Sequence, residues 1–173
     1  DSLNPRLNAY RVVFADRALA EADGADGLHA AGEDRLLLGV PVAIKDDADV
    51  AGEVTAWGTD AFGPPKGVDS DVVARLRAAG AIVIGKTHVP EMTLWPWTAS
   101  TTWGVTRNPW DPQRTPGGSS GGSAVATATG SFLDLLDGTR GLPLLREEGN
   151  RSDVPADHVD ALVDRLARAG LVD

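Results

Sequence analysis

The stretch TPGGSSGGSA, residues 115–124, places four glycines around a pair of serines directly after a loop rich in aromatic residues. Glycine loses more backbone freedom on folding than any other residue, so such a cluster needs a physical reason. Glycines permit left-handed backbone angles and let a ligand or another segment approach the main chain closely. A flexible serine–glycine linker would need neither property, and a Walker loop would need a lysine that the stretch lacks. Because SAVATATG follows as a small-residue helix start, we expect an ordered loop with a chemical role.

The segments before this loop alternate between helical and strand patterns. Apolar residues recur at three- and four-residue steps over Leu7–Glu21, which predicts an amphipathic helix. LLGVPVAIKDD, residues 37–47, is typical of a buried strand that stops at a lysine. Residues 67–81 predict a helix capped by its Asp-Ser pair and ended by glycine, and the β-branched run AIVIGKT follows it. Four tryptophans and five prolines predict a packed irregular loop over residues 88–118. A helix followed by a buried β-branched run indicates an α/β fold.

Charge and composition exclude several classes of function. The chain of 173 residues carries 25 acidic and 16 basic side chains, a net charge of −9, which repels nucleic acids and anionic membranes. It contains no cysteine, which excludes disulfides, thiolate metal sites and a cysteine nucleophile. The histidines lie far apart, and Asp46, Asp47 and Asp49 are predicted to cap a turn, so we expect no metal site and no cofactor. Without a membrane span or a signal peptide, the prediction is a cytoplasmic protein.

Three stretches, in order, carry a resemblance to a known family: LLGVPVAIKD, GKTHVPEMT and STTWGVTRNPWDPQRTPGGSSGGSA. Together they resemble the amidase signature family, serine hydrolases that cleave the C–N bond of carboxamides. The resemblance covers residues 3–130 and implies a truncated amidase-signature fold, a mixed sheet flanked by helices. It also implies a small-molecule amide substrate and a Ser-Ser-Lys triad. In that triad Lys45 is the lysine that closes the strand, and Ser119 is the serine held by a cis peptide bond.

Elementary chemistry explains why such a site needs these residue types. A hydroxyl is a poor nucleophile at neutral pH and needs a base, and a lysine can serve in its neutral form. A second hydroxyl that accepts and donates in turn can pass the proton, so Lys45 is the predicted base and Ser119 the predicted relay. Ser120 and Ser123 are predicted to hold the loop and cap the next helix. The loop residues assigned to structure or to contact with substrate are Gly117, Gly118, Ser120 and Gly121.

The nucleophilic serine of the family that the chain resembles is not found in the sequence after the glycine stretch. In that family it lies in a motif of the form G-[ST]-D-T-G-G-S, whose amides also form an oxyanion hole. Where the motif is expected, this sequence reads FLDLLDGTRGLPLLREEGN, and Pro143 stands where the nucleophilic serine is expected. The later serines, Ser131 and Ser152, lack flanking glycines. We therefore predict a base and a relay without a nucleophile, and no amidase turnover by this chain.

The carboxyl-terminal residues predict a separate unit. We place a partial amidase-signature domain at 1–130 and a small helical or winged-helix-like tail at 131–173. The tail has an amphipathic pattern from Val159 to Ala169 and resembles, over about forty residues, winged-helix modules of the PqqD-like type that bind leader peptides. A plain helical hairpin is the other interpretation. A basic DNA-reading helix is not, because acidic residues oppose the arginines.

Three functions stay open at this point. The chain is an amidase by resemblance, or a non-catalytic binding or regulatory remnant, or a truncated product without function. Because the chain opens on Asp1 within a helical pattern, we also expect a fragment. The tryptophans predict either an aromatic pocket for an apolar group or simple packing. A truncated sheet exposes unpaired strand edges, so self-association through such an edge is expected.

Overall fold

The computed structural model describes residues 3–133, which form a mixed α/β arrangement. The chain divides into two compact units, Asp1–Ala126 and Thr127–Asp173, and the candidate site residues lie in the first. The tail predicted at 131–173 lies, beyond Leu133, outside the described residues. In chain order the elements are α1 (Asn4–Leu7), β1 (Tyr10–Val13), α2 (Ala15–Ala30), β2 (Pro41–Lys45), α3 (Asp71–Ala78), β3 (Ile82–Thr87), a 3-10 helix (Glu91–Thr93), β4 (Ala99–Ser100), β5 (Gly104–Val105) and α4 (Gly121–Leu133).

One sheet of three strands, in the order β1-β3-β2, organises the fold. β2 and β3 run parallel, with Lys45 opposite Thr87, whereas β1 runs antiparallel to β3. The predicted mixed sheet and both predicted strands are therefore confirmed. Among residues 3–133, β2 has a neighbouring strand on the β3 side alone, so it forms one edge of the sheet.

The core forms between this sheet and α3. Ile44 of β2, Val83 of β3 and Val73 of α3 are buried in one cluster with Val50. The apolar spacing of α3 predicts one buried face with Val72, Val73 and Leu76; Val73 and Leu76 pack in this cluster, whereas Val72 is 55% exposed. Removing these side chains from water is the main stabilising term available to a sheet covered by a helix.

The start of α3 corrects one detail of the prediction. Ser70 occupies the N-cap position with extended backbone, but its hydroxyl donates to the Asp49 carbonyl at 3.1 Å instead of capping the helix. The Asp69 carboxylate accepts the Ala51 N–H at 2.7 Å. Both side chains therefore hold the loop before α3 rather than the first turn of the helix.

The helix predicted over Leu7–Glu21 is wrong in its first half. Leu7 ends the short helix α1, Asn8 follows at φ 53, and the chain then enters β1. The Asn4 side chain fixes this exit, because its amide donates to the Tyr10 carbonyl at 2.9 Å and its oxygen accepts the Tyr10 N–H at 2.7 Å. Pairing of β1 with β3 overrides the local helical spacing, and the helix proper begins only at Ala15.

Residues 88–118 form the predicted irregular loop. It holds only the 3-10 helix and the two-residue strands β4 and β5 as regular elements. Two bonds join it to the end of α1: the Thr106 hydroxyl donates to the Asn8 carbonyl at 2.7 Å, and the Arg107 N–H donates to the Leu7 carbonyl at 2.8 Å. Within residues 3–133, no helix has both the length and the apolar character needed to cross a membrane.

Candidate active site

Lys45 and Ser119, 74 residues apart in the sequence, meet through their side chains. The Lys45 Nζ donates a hydrogen bond of 2.9 Å to the Ser119 Oγ. Parallel pairing of β2 with β3 brings Lys45 to this point, at the carboxyl end of both strands. Ser119 arrives from the loop that leads directly into α4. The two groups lie at a distance over which a proton can be passed.

A carboxylate also contacts this lysine. The Lys45 Nζ lies 3.2 Å from the Asp47 Oδ2, and 26% of the Lys45 side chain and 24% of the Asp47 side chain stay exposed. The lysine is therefore held by one hydroxyl and one acid at a surface that solvent or a small molecule can reach. At this exposure an ion pair contributes only about 0–1 kcal/mol to stability.

The glycine loop is packed, not flexible. The peptide bond between Gly118 and Ser119 is cis, and Gly117 has φ +89, a conformation that side-chain-bearing residues rarely adopt. A Cβ added at Gly118 would lie 2.6 Å from the Trp95 carbonyl oxygen and from the backbone N and O of Trp97. The two glycines are thus required by a backbone angle and by close approach of the tryptophan loop.

One threonine that the sequence did not single out joins both ends of the loop. Thr98 is 2% exposed, and its Oγ1 donates to the Gly117 carbonyl at 2.9 Å and accepts the Gly121 N–H at 3.0 Å. A Cβ on Gly121 would collide with this Oγ1. Thr98 therefore fixes the positions on either side of Ser119.

The two remaining serines of the stretch have structural surroundings. The Ser123 hydroxyl lies 2.7 Å from the Thr87 Oγ1, which links α4 to the end of β3. Ser120 is exposed, and its carbonyl accepts the Ala124 N–H at 3.0 Å in the first turn of α4. The Ser123 hydroxyl thus makes a structural contact, whereas the contact of Ser120 is made by its main chain, and the role predicted for the Ser120 side chain stays a prediction.

A buried cluster of charges lies directly beside the pair. Lys86 is 0% exposed, and its Nζ lies 2.8 Å from the Asp46 Oδ1 and donates to the Val54 carbonyl and the Thr55 Oγ1, both at 2.9 Å. The Asp46 Oδ2 also pairs with the Arg11 Nε at 2.6 Å. Asp46, the residue that follows Lys45, therefore links β1 and β3, and through Lys86 it is also connected to residues 54–55.

The prediction that Asp46 caps a turn is wrong, because its carboxylate serves the two buried cations. Burial lowers the pKa of Lys86, and the hydrogen bond and charge of Asp46 oppose that shift. An uncompensated charge in such a place costs several kcal/mol, so the lysine and the acid depend on each other. The sequence did carry a signal: a lysine near the end of the buried run AIVIGKT needs a buried acid, and Asp46 directly follows the neighbouring strand.

His88 extends the buried side of the site. It is 5% exposed, and burial lowers its pKa to about 4, while the nearby Asp46 raises it and Arg11 lowers it. Its ring lies 6.2 Å from that of Trp103, which donates its indole N–H to the Thr59 carbonyl at 3.2 Å. Trp103 is therefore a packing residue, whereas Trp95 and Trp97 are 47% and 44% exposed.

Metal ligands are not gathered in the described part of the chain. Among residues 3–133, no three histidine or acidic side chains are grouped so that they could hold a metal ion. His158 lies outside the described residues.

Comparisons with known proteins show the family and the fold of the chain. The sequence model of the family described as Amidase matches residues 1–133. The putative amidase AmiB2 of Mycobacterium tuberculosis is 58% identical over 130 residues, which cover 75% of this chain and 28% of AmiB2. The native peptide amidase from Stenotrophomonas maltophilia is 36% identical with a TM-score of 0.67, over 74% of this chain and 28% of that enzyme.

A second solved structure extends the likeness. It belongs to a vestigial protein complex that reveals the origins of an s-triazine catabolic enzyme, and it is 39% identical with a TM-score of 0.71, over 75% of this chain and 29% of its own. The predicted amidase-signature fold is thereby confirmed in truncated form, since the chain spans about 28% of the length of the curated relatives it matches. The family match ends at residue 133 and gives no support to the winged-helix interpretation of the tail.

Proposed function

The chain belongs to the amidase family, and on this premise we propose that Lys45 and Ser119 form the base-and-relay part of a site that hydrolyses carboxamides. The observation that carries the proposal is the 2.9 Å hydrogen bond from the Lys45 Nζ to the Ser119 Oγ. The names of the relatives support amide chemistry, because one is a putative amidase and another a peptide amidase. The proposed substrate is a small-molecule amide, and no cofactor takes part.

Proton transfer follows from the order of the groups. With Lys45 in its neutral form, its amine takes the proton of the Ser119 hydroxyl, which in turn takes the proton of an attacking hydroxyl. When the C–N bond breaks, the same two groups return a proton to the departing amine. Ser119 suits the relay because a hydroxyl both donates and accepts. Thr98 keeps the Ser119 loop in place while the proton moves.

The attacking hydroxyl is the part that we do not assign to this chain. The sequence contains no G-[ST]-D-T-G-G-S motif, and the Ser123 hydroxyl already contacts the Thr87 Oγ1 at 2.7 Å. We propose that the chain by itself holds the base and the relay and forms no acyl-enzyme. The activity of a whole amidase is therefore not assigned to these 173 residues.

Two measurements on the full chain test the proposal. The first is incubation with simple amides and with a fluorophosphonate probe, for which we expect neither turnover nor a labelled serine. The second is an NMR spectrum of the lysine side-chain amines, in which Ser119→Ala should move the Lys45 signal and leave the Lys66 signal unchanged. Lys66 is a suitable reference because it lies on the surface, 3.5 Å from the Asp49 carboxylate.

Each outcome has a distinct meaning. Turnover that Lys45→Met and Ser119→Ala both abolish would support amide hydrolysis and disprove the missing nucleophile. An unchanged Lys45 side-chain signal in Ser119→Ala would contradict the base-and-relay assignment and favour a non-catalytic binding or regulatory remnant. A chain that unfolds without cooperativity would favour a truncated product without function.

Association with another copy is a second part of the proposal. Along β2 one strand edge is without a partner among residues 3–133, and such an edge can pair with another chain. The relative that belongs to a vestigial protein complex supports testing this, although its partners are its own. Sedimentation at increasing protein concentration should show a dimer if the edge pairs, and a constant monomer would refute the proposal.

A further inference from the structure

Two hydroxyl groups meet between the segments that carry Lys45 and Ser119. The Thr87 Oγ1 and the Ser123 Oγ lie 2.7 Å apart, and Thr87 is 0% exposed. Thr87 ends β3, and Ser123 lies in the first turn of α4, shortly after Ser119 in the chain. A distance of this length is typical of a well-formed hydrogen bond between hydroxyls, so the contact joins the two segments directly.

Thr87 is bonded to the chain on both sides of Lys45. It is the residue of β3 that lies opposite Lys45 in the parallel register. Its hydroxyl donates to the Ile44 carbonyl at a long 3.4 Å, and its carbonyl accepts the Asp46 N–H at 3.1 Å. Since a threonine hydroxyl has one proton to donate, the Ser123 hydroxyl is the donor of the 2.7 Å bond. The hydrogen bonds therefore run from α4 through Thr87 to the residue before Lys45.

The start of α4 also packs closely against the residue that follows Thr87. The Gly122 N–H donates to the His88 carbonyl at 3.3 Å, and a Cβ at Gly122 would lie 2.5 Å from the backbone N and O of His88. Glycine is required at this position because no side chain fits between the helix start and that backbone. The end of β3 therefore supports both the strand of Lys45 and the segment that follows Ser119.

The hydroxyl pair and Thr98 hold different sides of the candidate site. Thr98 bonds through its hydroxyl at both ends of the Ser119 loop, but neither of these bonds reaches β2. The bonds of Ser123 and Thr87 do lead to β2, which carries Lys45. Proton transfer needs its two heavy atoms about 2.6–3.2 Å apart, and a displacement of about 1 Å can slow a reaction about 100-fold. The placement of the Ser119 loop relative to β2 therefore decides whether the pair can pass a proton.

We propose that the hydroxyl pair of Thr87 and Ser123 sets the distance between the Lys45 Nζ and the Ser119 Oγ, so that both are positioning residues of the site. The inference rests on the proposed function of Lys45 and Ser119. The pair acts by holding the start of α4 against the strand beside Lys45, and it needs no contact with a substrate. Removal of a bond that only stabilised the fold would leave the contact between Lys45 and Ser119 as it is, so the two roles predict different results.

The test is the NMR spectrum of the lysine side-chain amines of the full chain, with Ser123→Ala as the main variant. Alanine favours a helix, and the change removes only a hydroxyl, so we expect this variant to fold. The Lys45 signal should move in the same direction as in Ser119→Ala, and the signals of Lys66 and Lys86 should stay in place. Ser123→Thr, which keeps a hydroxyl, should restore the Lys45 signal.

A second variant and a matched control sharpen this test. Thr87→Val removes the other hydroxyl of the pair and keeps the shape of the side chain. Because both changes break the same bond, the double variant with Ser123→Ala should move the Lys45 signal no further than the larger single change. Thr106→Val is the control, since Thr106 is also buried and its hydroxyl donates to the Asn8 carbonyl at 2.7 Å. It should lower the temperature of unfolding and leave the Lys45 signal in place.

Several results would overturn the inference. A Lys45 signal that moves in Ser119→Ala but stays in place in Ser123→Ala and Thr87→Val leaves the hydroxyl pair with a structural role alone. Lys45 and Lys86 signals that move together in Ser123→Ala indicate a general distortion of the end of β3, and additive displacements in the double variant mean that the two hydroxyls act separately. Failure of the proposed function is recognised independently, because Ser119→Ala itself then leaves the Lys45 signal unchanged.

Discussion

Two lysines near the ends of adjacent parallel strands have opposite surroundings. Lys45 closes β2, keeps 26% of its side chain exposed and contacts one hydroxyl and one carboxylate. Lys86 lies one residue before the end of β3, is 0% exposed and has three oxygen partners. The same residue type thus occurs in the pair proposed to pass a proton, which is partly exposed, and in a buried structural cluster. The groups around each lysine, and not its place near the end of a strand, set this difference in exposure.

The buried cluster explains how the exposed lysine can be placed accurately. Asp46 follows Lys45 in the chain, and its N–H donates to the Thr87 carbonyl while its carboxylate holds Lys86 and Arg11. The charged groups around Asp46 can hold the backbone of Lys45 in place without contacting a substrate. We expect the cluster to carry stability and the exposed pair to carry chemistry, and each prediction below tests that division.

The largest effect is expected for Lys86→Met. It leaves the Asp46 carboxylate buried with only Arg11 to compensate its charge, and breaking a buried pair in this way costs about 3–5 kcal/mol. Denaturant unfolding should therefore show a marked loss relative to Lys66→Met, which removes an exposed cation 3.5 Å from Asp49. Adding Asp46→Asn should recover part of the loss. A stability equal to that of the Lys66 variant would contradict the structural role of Lys86.

The next effect is a pH dependence of the free energy of unfolding that arises from the buried His88. Because burial lowers its pKa from 6.5 to about 4, the unfolded chain binds a proton at pH values where the folded chain does not. Stability should therefore rise with pH from about 4 to 6.5, by about 3 kcal/mol at most, and this contribution is flat above 6.5.

The measurement is the free energy of unfolding at several pH values. His88→Gln should remove this rise, and His29→Gln, at an exposed position near the end of α2, should keep it. A rise of the same size in both variants would assign the pH dependence to other groups.

The sequence predicted the parts of the site that local patterns describe. Lys45 was placed at the end of an apolar run, and Ser119 in a stretch whose glycines are unusual in any other context. It could not predict β1, because the spacing of Leu7, Tyr10 and Phe14 fits a helix and only pairing with β3 makes a strand. Asp46 with Lys86 and Thr98 with Gly121 were missed for a related reason: each is a contact between segments that are distant along the chain.

A smaller effect is expected for Thr98→Val, which changes the threonine that bonds to both sides of the Ser119 loop. The variant keeps the shape of the side chain but leaves the Gly121 N–H without its acceptor and the Gly117 carbonyl without its donor. Buried groups left in this state cost about 1–3 kcal/mol. Thermal unfolding should show the loss, and Thr98→Ser should restore most of it. If the valine variant also leaves the Lys45 side-chain NMR signal unchanged, Thr98 does not position Ser119.

The smallest effect on stability is expected where the chemistry is expected, in Lys45→Met and Ser119→Ala. The lysine pairs with Asp47 at a partly exposed position, where an ion pair contributes about 0–1 kcal/mol, and a hydrogen bond adds a similar net amount. Each variant should therefore unfold within about 1 kcal/mol of the parent chain. Lys86→Met is the matched comparison, because Lys86 lies on the adjacent strand but is fully buried. A loss at Lys45 as large as at Lys86 would mean that both lysines are structural, and the division between the two regions would fail.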